Sequence, residues 1–154
     1  MSDHLPIVTL PAKSLRERSV EVDVSRIPTH EFQLFLDQLT VAMYAADGVG
    51  IASPQVGRNE RIFIVNEKTG PKAYINPEIL TMSEETQDSE EGCLSVPGTY
   101  GLVKRAKKIR FRALNRHGRR VEFDAKGYIA TVYQHELDHL NGVLFIDRVE
   151  KLLT

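Results

Sequence analysis

Apolar residues recur along this chain in two rhythms, one helical and one alternating, and the switches between them mark its elements. Phe32, Phe35, Leu36, Leu39, Ala42 and Met43 fall at helical spacing behind Thr29, a side chain suited to an N-cap, so a helix is predicted over about 29–46. Asp47-Gly48-Val49-Gly50 ends it, glycine tolerating the backbone angles of such a stop. Arg61-Ile62-Phe63-Ile64-Val65 is a short, branched, apolar run and reads as a strand. Ala73–Ile75 and Glu78–Met82 read as two more, with Asn76-Pro77 breaking them apart. In Lys108–Leu114, Ile109, Phe111 and Ala113 alternate with Lys108, Arg110 and Arg112, the pattern of a half-buried strand. Asn115-Arg116-His117-Gly118 turns the chain, and Val121-Glu122-Phe123 returns as the antiparallel partner. A second helix is predicted from Tyr128 to Leu140, stopping at Asn141-Gly142. Residues 1–28, with prolines at 6, 11 and 28, read as irregular or weakly extended.

Strands between two helices, without regular alternation, predict an α+β fold. Mixed or antiparallel strands pack around a central C-terminal helix, with a second helix near the N-terminus. No repeat, linker or low-complexity stretch interrupts the sequence, so residues 1–154 are expected to form one domain. Composition adds little: 42% hydrophobic, 27% charged and a net charge of −1 give no drive towards membranes or specific DNA. The first residues have neither a secretion signal nor a transit pattern, and a cytoplasmic protein is expected. A single cysteine, Cys93, excludes an intrachain disulfide.

The chemistry is concentrated in His135-Glu136-Leu137-Asp138-His139. On a helix, positions four apart share a face, so both imidazoles can reach one ion, and Glu136 stands beside it to handle the proton of a water. A catalytic site of this type needs a third protein ligand and an open position. Downstream candidates fail: Phe145 stands where a metzincin protease has its third histidine, and Asp147 and Glu150 lie too close for a thermolysin-like glutamate. Cys93 is the best upstream candidate, in Glu90-Glu91-Gly92-Cys93-Leu94-Ser95-Val96-Pro97, where Gly92 and Pro97 suggest an exposed, rigid loop. A thiolate with two imidazoles suits a borderline or soft divalent metal.

Three segments together, in order, resemble the peptide deformylases: Gly48-Val49-Gly50-Ile51-Ala52-Ser53-Pro54-Gln55, Glu91-Gly92-Cys93-Leu94-Ser95 and Gln134-His135-Glu136-Leu137-Asp138-His139. The resemblance covers about residues 10 to 150. It implies a hydrolase that removes the formyl group from the N-terminal formyl-methionine of nascent polypeptides and releases formate. It implies Cys93, His135 and His139 as ligands of one divalent ion, Fe²⁺ natively, with Zn²⁺, Ni²⁺ or Co²⁺ able to substitute. Glu136 would carry the proton, and the Gln55 side-chain amide and the Leu94 backbone N–H would face the developing oxyanion. Val49, Gly50 and Gly92 would contact the substrate, Gly50 through its backbone. Tyr128, Thr131 and Val132 precede the motif at helical spacing and could line the methionine pocket or simply pack the helix on the sheet.

Other positions are open or depart from the family pattern. Asp138 reads either as a solvated acid or as a partner fixing a histidine tautomer, and Gln134 as a further support. His4, His30 and His117 fit no ligand spacing and are expected at the surface. Ser53 replaces a common alanine, and Tyr100 lies near a position where many members carry a substrate-holding arginine, a fork that tyrosine cannot supply. The sequence lacks the longer C-terminal helix that many bacterial members use to dock on the ribosome, leaving at most a transient contact. The basic run from Lys104 to Arg120 could touch ribosomal RNA, but reads better as a solvated hairpin face offset by Glu84, Glu85, Asp88, Glu90 and Glu91. The competing readings are a peptidase cutting internal bonds, which needs a third ligand other than Cys93, and a purely structural metal domain. The latter needs a fourth protein ligand that the chain does not offer.

Overall fold

Two helices and eight strands build the chain in the computed structural model, which describes residues 5–153. The fold is α+β. Helix α1 spans His30–Ala45, capped by the Thr29 hydroxyl accepting from the Phe32 N–H. Strands β1 (Gly50–Ala52), β2 (Ile62–Glu67), β3 (Gly70–Met82), β4 (Thr86–Cys93), β5 (Val96–Ala106), β6 (Lys108–Leu114) and β7 (Arg120–Lys126) follow, then helix α2 (Tyr128–Leu140) and β8 (Val149–Leu152). One antiparallel sheet runs β1-β2-β3-β6-β7 and a second runs β4-β5-β8. The one parallel pairing among the described residues is an isolated bridge between Val20 and Glu60.

Alternation along β2 explains why its whole core run is apolar. Ile62 and Ile64 face α1, in a cluster with Phe32, Phe35, Leu36 and Met43, whereas Phe63 and Val65 face α2, with Tyr74, Phe111 and Tyr133. The larger sheet is thus covered by a helix on each side. On the α2 side the rings of Phe63, Tyr74, Phe111, Phe123 and Tyr133 pack together, Phe111 stacking on Tyr133 at 4.8 Å. The hydroxyls of Tyr74 and Tyr133 both donate to Glu67 Oε2, so the ring cluster buries its polar tips without leaving them unpaired. At its far end α2 is held by buried Arg61, just before β2, which donates to the Leu140 carbonyl at 3.0 Å and to the Asn141 side chain at 3.0 Å.

The structure departs from the sequence reading in four places. The two strands expected on either side of Asn76-Pro77 are one strand, β3, whose register against β6 shifts between Ile75 and Glu78. Asn76 absorbs the irregularity by taking a positive φ of 51°. Its side chain then pairs with the backbone of Val22, accepting at 2.8 Å and donating at 3.0 Å, which ties the N-terminal segment to the sheet. The segment expected as irregular also contains short 3-10 turns at Lys13–Arg16 and Val24–Arg26. The stretch 90–97, expected as an exposed, rigid loop, is the end of β4 and the start of β5 in a long hairpin, and Cys93 is the last residue of a strand. The short strands β1 and β8 were not anticipated either, since three or four residues carry too little alternation to register. His30 and His117 are exposed as expected, and His4 lies outside the described residues.

Asn76→Ala removes both hydrogen bonds to Val22 and puts a residue less tolerant of left-handed backbone than asparagine at a positive φ. It is expected to lower stability by about 2 kcal/mol, read as a fall in the denaturant midpoint at unchanged slope.

Candidate metal centre

Helix α2 presents His135 and His139 on one face, and the end of β4 brings Cys93 to meet them. One ligand atom from each of the three residues can be chosen so that all lie within 4.8 Å of one another. Cys93 Sγ stands 3.3 Å from His139 Nε2. Ligands bonded at about 2.3 and 2.1 Å across a tetrahedral angle would be roughly 3.6 Å apart, so the donors suit one small cation. The donor set, a thiol and two imidazoles, is that of a divalent transition metal. Two buried polar atoms beside it, Glu136 Oε1 and His139 Nδ1, have no hydrogen-bond partner among the described residues. A carboxylate oxygen left open there can engage a water or substrate group at the centre.

A buried chain of charges holds the ligands in place. His135 Nδ1 lies 2.8 Å from Glu91 Oε1, which fixes the ring's tautomer and leaves Nε2 for the ion. Arg105 of β5 grips the same carboxylate through Nε at 2.8 Å and Nη2 at 2.7 Å, and reaches Asp138 with Nη1 at 2.7 Å. Arg148 closes the chain on Asp138 from the other side at 2.7 and 3.1 Å. Arg105 is 3% exposed and Glu91 8%. Burial by itself would raise the Glu91 carboxyl, but the hydrogen bonds from Arg105 and His135 outweigh it and hold it down at about 2. His135 feels the converse. Burial would lower it, yet its contacts with Cys93 and Glu91 lift it to about 10. A cation at the centre competes with that proton. His139 is pushed well below the usual histidine range by burial and by neighbouring His135, which favours the neutral, ligating ring.

Glu136 sits between the two histidines with its carboxyl raised to about 7, chiefly by burial. Gly50 makes room for it: a β-carbon there would stand 2.6 Å from Glu136 Oε2. The small residue at 50 therefore has a packing reason beyond the backbone approach expected from sequence. Gln55 is buried in a 3-10 turn after β1. Its carbonyl oxygen accepts from the Ala52 N–H at 2.9 Å, so its NH₂ points to Ser95 Oγ at 3.2 Å and Cys93 Sγ at 3.6 Å. Phe145, in the place of a metzincin histidine, stacks on the ring of His135 at 6.3 Å.

The centre opens into a cavity of about 430 Å³. Val49, Gly50, Gln55, Gly92, Cys93, Leu94, Tyr128, Thr131, Val132, His135 and Glu136 all line it, so every residue expected at the site except buried His139 borders one space. Three residues that matter here were passed over in the sequence. Glu91 and Arg105 were counted among surface charges, and Arg148 was not singled out. The signal that could have found Glu91 is its spacing from Cys93: two residues along a strand from a ligand, it lies on the same side. Asp138 meets Arg105 and Arg148, and Glu91 is the acid that orients a histidine. Gln134 bonds the backbone of Ala106 in both directions, at 2.9 Å each, seating α2 on β5.

Comparison with known proteins agrees with this geometry. The family model described as Polypeptide deformylase matches residues 4–154. The peptide deformylase of Fusobacterium nucleatum is 45% identical over 139 residues, 90% of this chain and 79% of that protein. The crystal structure of peptide deformylase from Thermotoga maritima superposes with a TM-score of 0.91 at 41% identity, over 96% of this chain and 98% of that one. A Met-Ala-Ser-bound class I type b peptide deformylase from Acinetobacter baumannii gives a TM-score of 0.91 at 34% identity, covering 97% of this chain and 100% of that one.

Glu91→Gln weakens the support of His135 and leaves Arg105 short of a charged partner. The variant is expected to bind divalent metal about 10- to 100-fold more weakly, measured by competition with a chromophoric chelator.

Proposed function

We propose, from the premise that the chain belongs to the polypeptide deformylase family, that the Cys93–His135–His139 centre and the cavity beside it form the active site of a deformylase. The reaction is hydrolysis of the formamide bond at the N-terminal formyl-methionine of nascent polypeptides, releasing formate and a free amino terminus. The single observation that carries the assignment is the convergence of a thiol, two imidazoles and a partnerless carboxylate oxygen beside one cavity. Residues 1–154 act in this reading as one catalytic domain.

Cys93, His135 and His139 would hold one divalent ion, whose contribution when bound is Lewis-acid polarisation of the formyl oxygen and acidification of water. Iron(II) is the ion we assign natively, with zinc, nickel or cobalt able to replace it; the thiolate and imidazole donors accept all four. Glu136 accepts the proton of the attacking water and returns it to the departing amine. Its carboxyl, raised to about 7, is poised for both transfers near neutrality. As negative charge grows on the formyl oxygen, the Gln55 NH₂ and the Leu94 backbone N–H donate to it. Gln55 is preset for this because its other end is already engaged by Ala52. Gly50 keeps the space in which Glu136 moves its proton, and Val49, Gly92 and Gly50 border the peptide's path. Tyr128, Thr131 and Val132 form the wall for the methionine side chain, the Thr131 hydroxyl being satisfied by donating to the Tyr128 carbonyl at 2.6 Å.

No described helix is long and apolar enough to cross a membrane. The cytoplasm, where nascent chains emerge, is the place we assign. A transient contact with the ribosome fits a basic stretch whose cations are largely paired already: Lys104 with Asp88, Lys107 with Glu85, Arg110 with Glu122 and Asp124, and Arg112 with Glu78. Paired cations have little charge left for phosphate.

Protein purified without oxygen and loaded with Fe²⁺ or Ni²⁺ is expected to release formate from formyl-Met-Ala-Ser. Glu136→Ala should abolish release while keeping the metal, and Cys93→Ala should lose the metal itself. Metal-loaded, folded protein that releases no formate would refute the assignment. Gly50→Ala crowds Glu136 and is expected to cost about 100-fold or more in kcat/KM with metal content unchanged, measured by the same assay with metal analysis.

A further inference from the structure

Two separate turns carry the groups that face the developing oxyanion. Gln55 sits in the 3-10 turn Ser53–Val56, and Leu94 lies in the two-residue turn between β4 and β5. Among the described residues, the hydrogen bonds that join these turns directly come from the Gln55 NH₂, which donates to Ser95 Oγ at 3.2 Å and to Cys93 Sγ at 3.6 Å. That NH₂ is the group the reaction recruits. As it turns to the formyl oxygen, the direct link between the turns weakens at the moment their spacing matters most.

The N-terminal segment joins the same two turns through groups that the chemistry never touches. The Val8 N–H donates to the Gln55 carbonyl at 2.7 Å, and the Leu10 N–H donates to the Ser95 carbonyl at 3.1 Å. In extended chain, amides two residues apart point to one edge and stand about 7 Å apart. Residues 8–10 are thus a short rail with one turn fastened at each end. The Thr9 N–H falls on the other edge and has no partner among the described residues. Gln55 and Ser95 are both buried, so each carbonyl depends on its donor.

The rail is itself anchored. Leu5 and Ile7 pack against the core beneath α1. Ser14 Oγ donates to the Pro54 carbonyl at 2.9 Å, and Asn59 Nδ2 donates to the Ser14 carbonyl at 2.8 Å. The carbonyls of Pro54 and Gln55 are therefore both taken by this segment, which fixes the peptide planes on either side of Gln55.

We propose that Val8 and Leu10 are positioning residues: their rail sets the gap between the Gln55 amide and the Leu94 N–H, and with it the fit of that pair to the oxyanion. The inference rests on the reading of the cavity as a deformylase site, and gives the N-terminal segment a part in the reaction without contact with substrate. Donors fixed where the oxyanion will form stabilise it most, and a small error in their spacing costs rate more than substrate affinity.

Gly92–Cys93 is a junction at which the full chain can be assembled by thioester ligation, which admits backbone changes. Val8 and Leu10, singly and together, are replaced by their α-hydroxy acids, which delete the N–H and keep the side chain. Thr9 replaced in the same way is the control. Formate release from formyl-Met-Ala-Ser is measured per bound metal. Calorimetry alongside follows binding of Met-Ala-Ser and of an analogue with a tetrahedral phosphorus oxyanion in place of the formyl group. Each single replacement is expected to lower kcat and analogue affinity about tenfold, with KM, Met-Ala-Ser affinity and metal content unchanged. The double replacement should cost no more than either single one, because a rail released at one end no longer holds the other. The Thr9 control should match the unaltered protein. A merely structural role lowers the denaturant midpoint and leaves kcat in place, or gives two losses that add, and either result overturns the proposal. Unaltered protein that neither releases formate nor binds the analogue refutes the deformylase reading, and this proposal falls with it.

Discussion

The carboxylate of Glu91 is the joint on which the centre depends. One oxygen orients His135, and both are gripped by Arg105. It joins β4, which ends in the thiol ligand, to α2, which carries the imidazoles. Three charged groups out of water are costly unless each is fully paired, and here each is: Arg105 answers Glu91 and Asp138, and Arg148 completes Asp138 from the solvent side. Breaking such a chain at one link strands a buried charge, so the arrangement is held as a unit. The order of the three candidate ligands is thereby inherited from a salt-bridge network that none of them belongs to, except through one ring nitrogen.

The rest of the scaffold serves to keep α2 still. Its inner face is nailed to a ring cluster whose hydroxyls converge on Glu67, its C-terminal end is capped by Arg61, and Gln134 stitches its flank to Ala106. Gly50 then fits β1 against the Glu136 carboxylate with no side chain between. Positions of this kind tolerate few substitutions because the space is already filled by a functional group, and packing and chemistry make the same demand.

Much of this was legible in the residues. The i, i+4 histidines on a helix, the period of α1 with Thr29 as its cap, and the alternation of Lys108–Leu114 are local patterns, and local patterns survive into the fold. What failed to show was non-local. The β4–β5 hairpin is dense in charge, and a run such as Glu90-Glu91 or Lys104-Arg105 looks solvated until the partner strand is known. Within each pair the structure buries one charge and exposes the other, following the pleat. Asn76 gave the appearance of a break because a side chain that imitates backbone cannot be told from one that ends a strand. The three aligned motifs compensated for these blind spots at the site, though not in the sheet around it.

The division of β2 between two helices has a further consequence, one of evolutionary latitude. Ile62 and Ile64 belong to the α1 side and Phe63 and Val65 to the α2 side, so two adjacent positions of one strand answer to separate interiors. A change of volume beneath α1 can be absorbed by repacking there, with the sheet standing between it and the metal. The molecule is compartmented: one interior is free to drift with the stability its host requires, while the other is kept to the tolerance of a reacting bond.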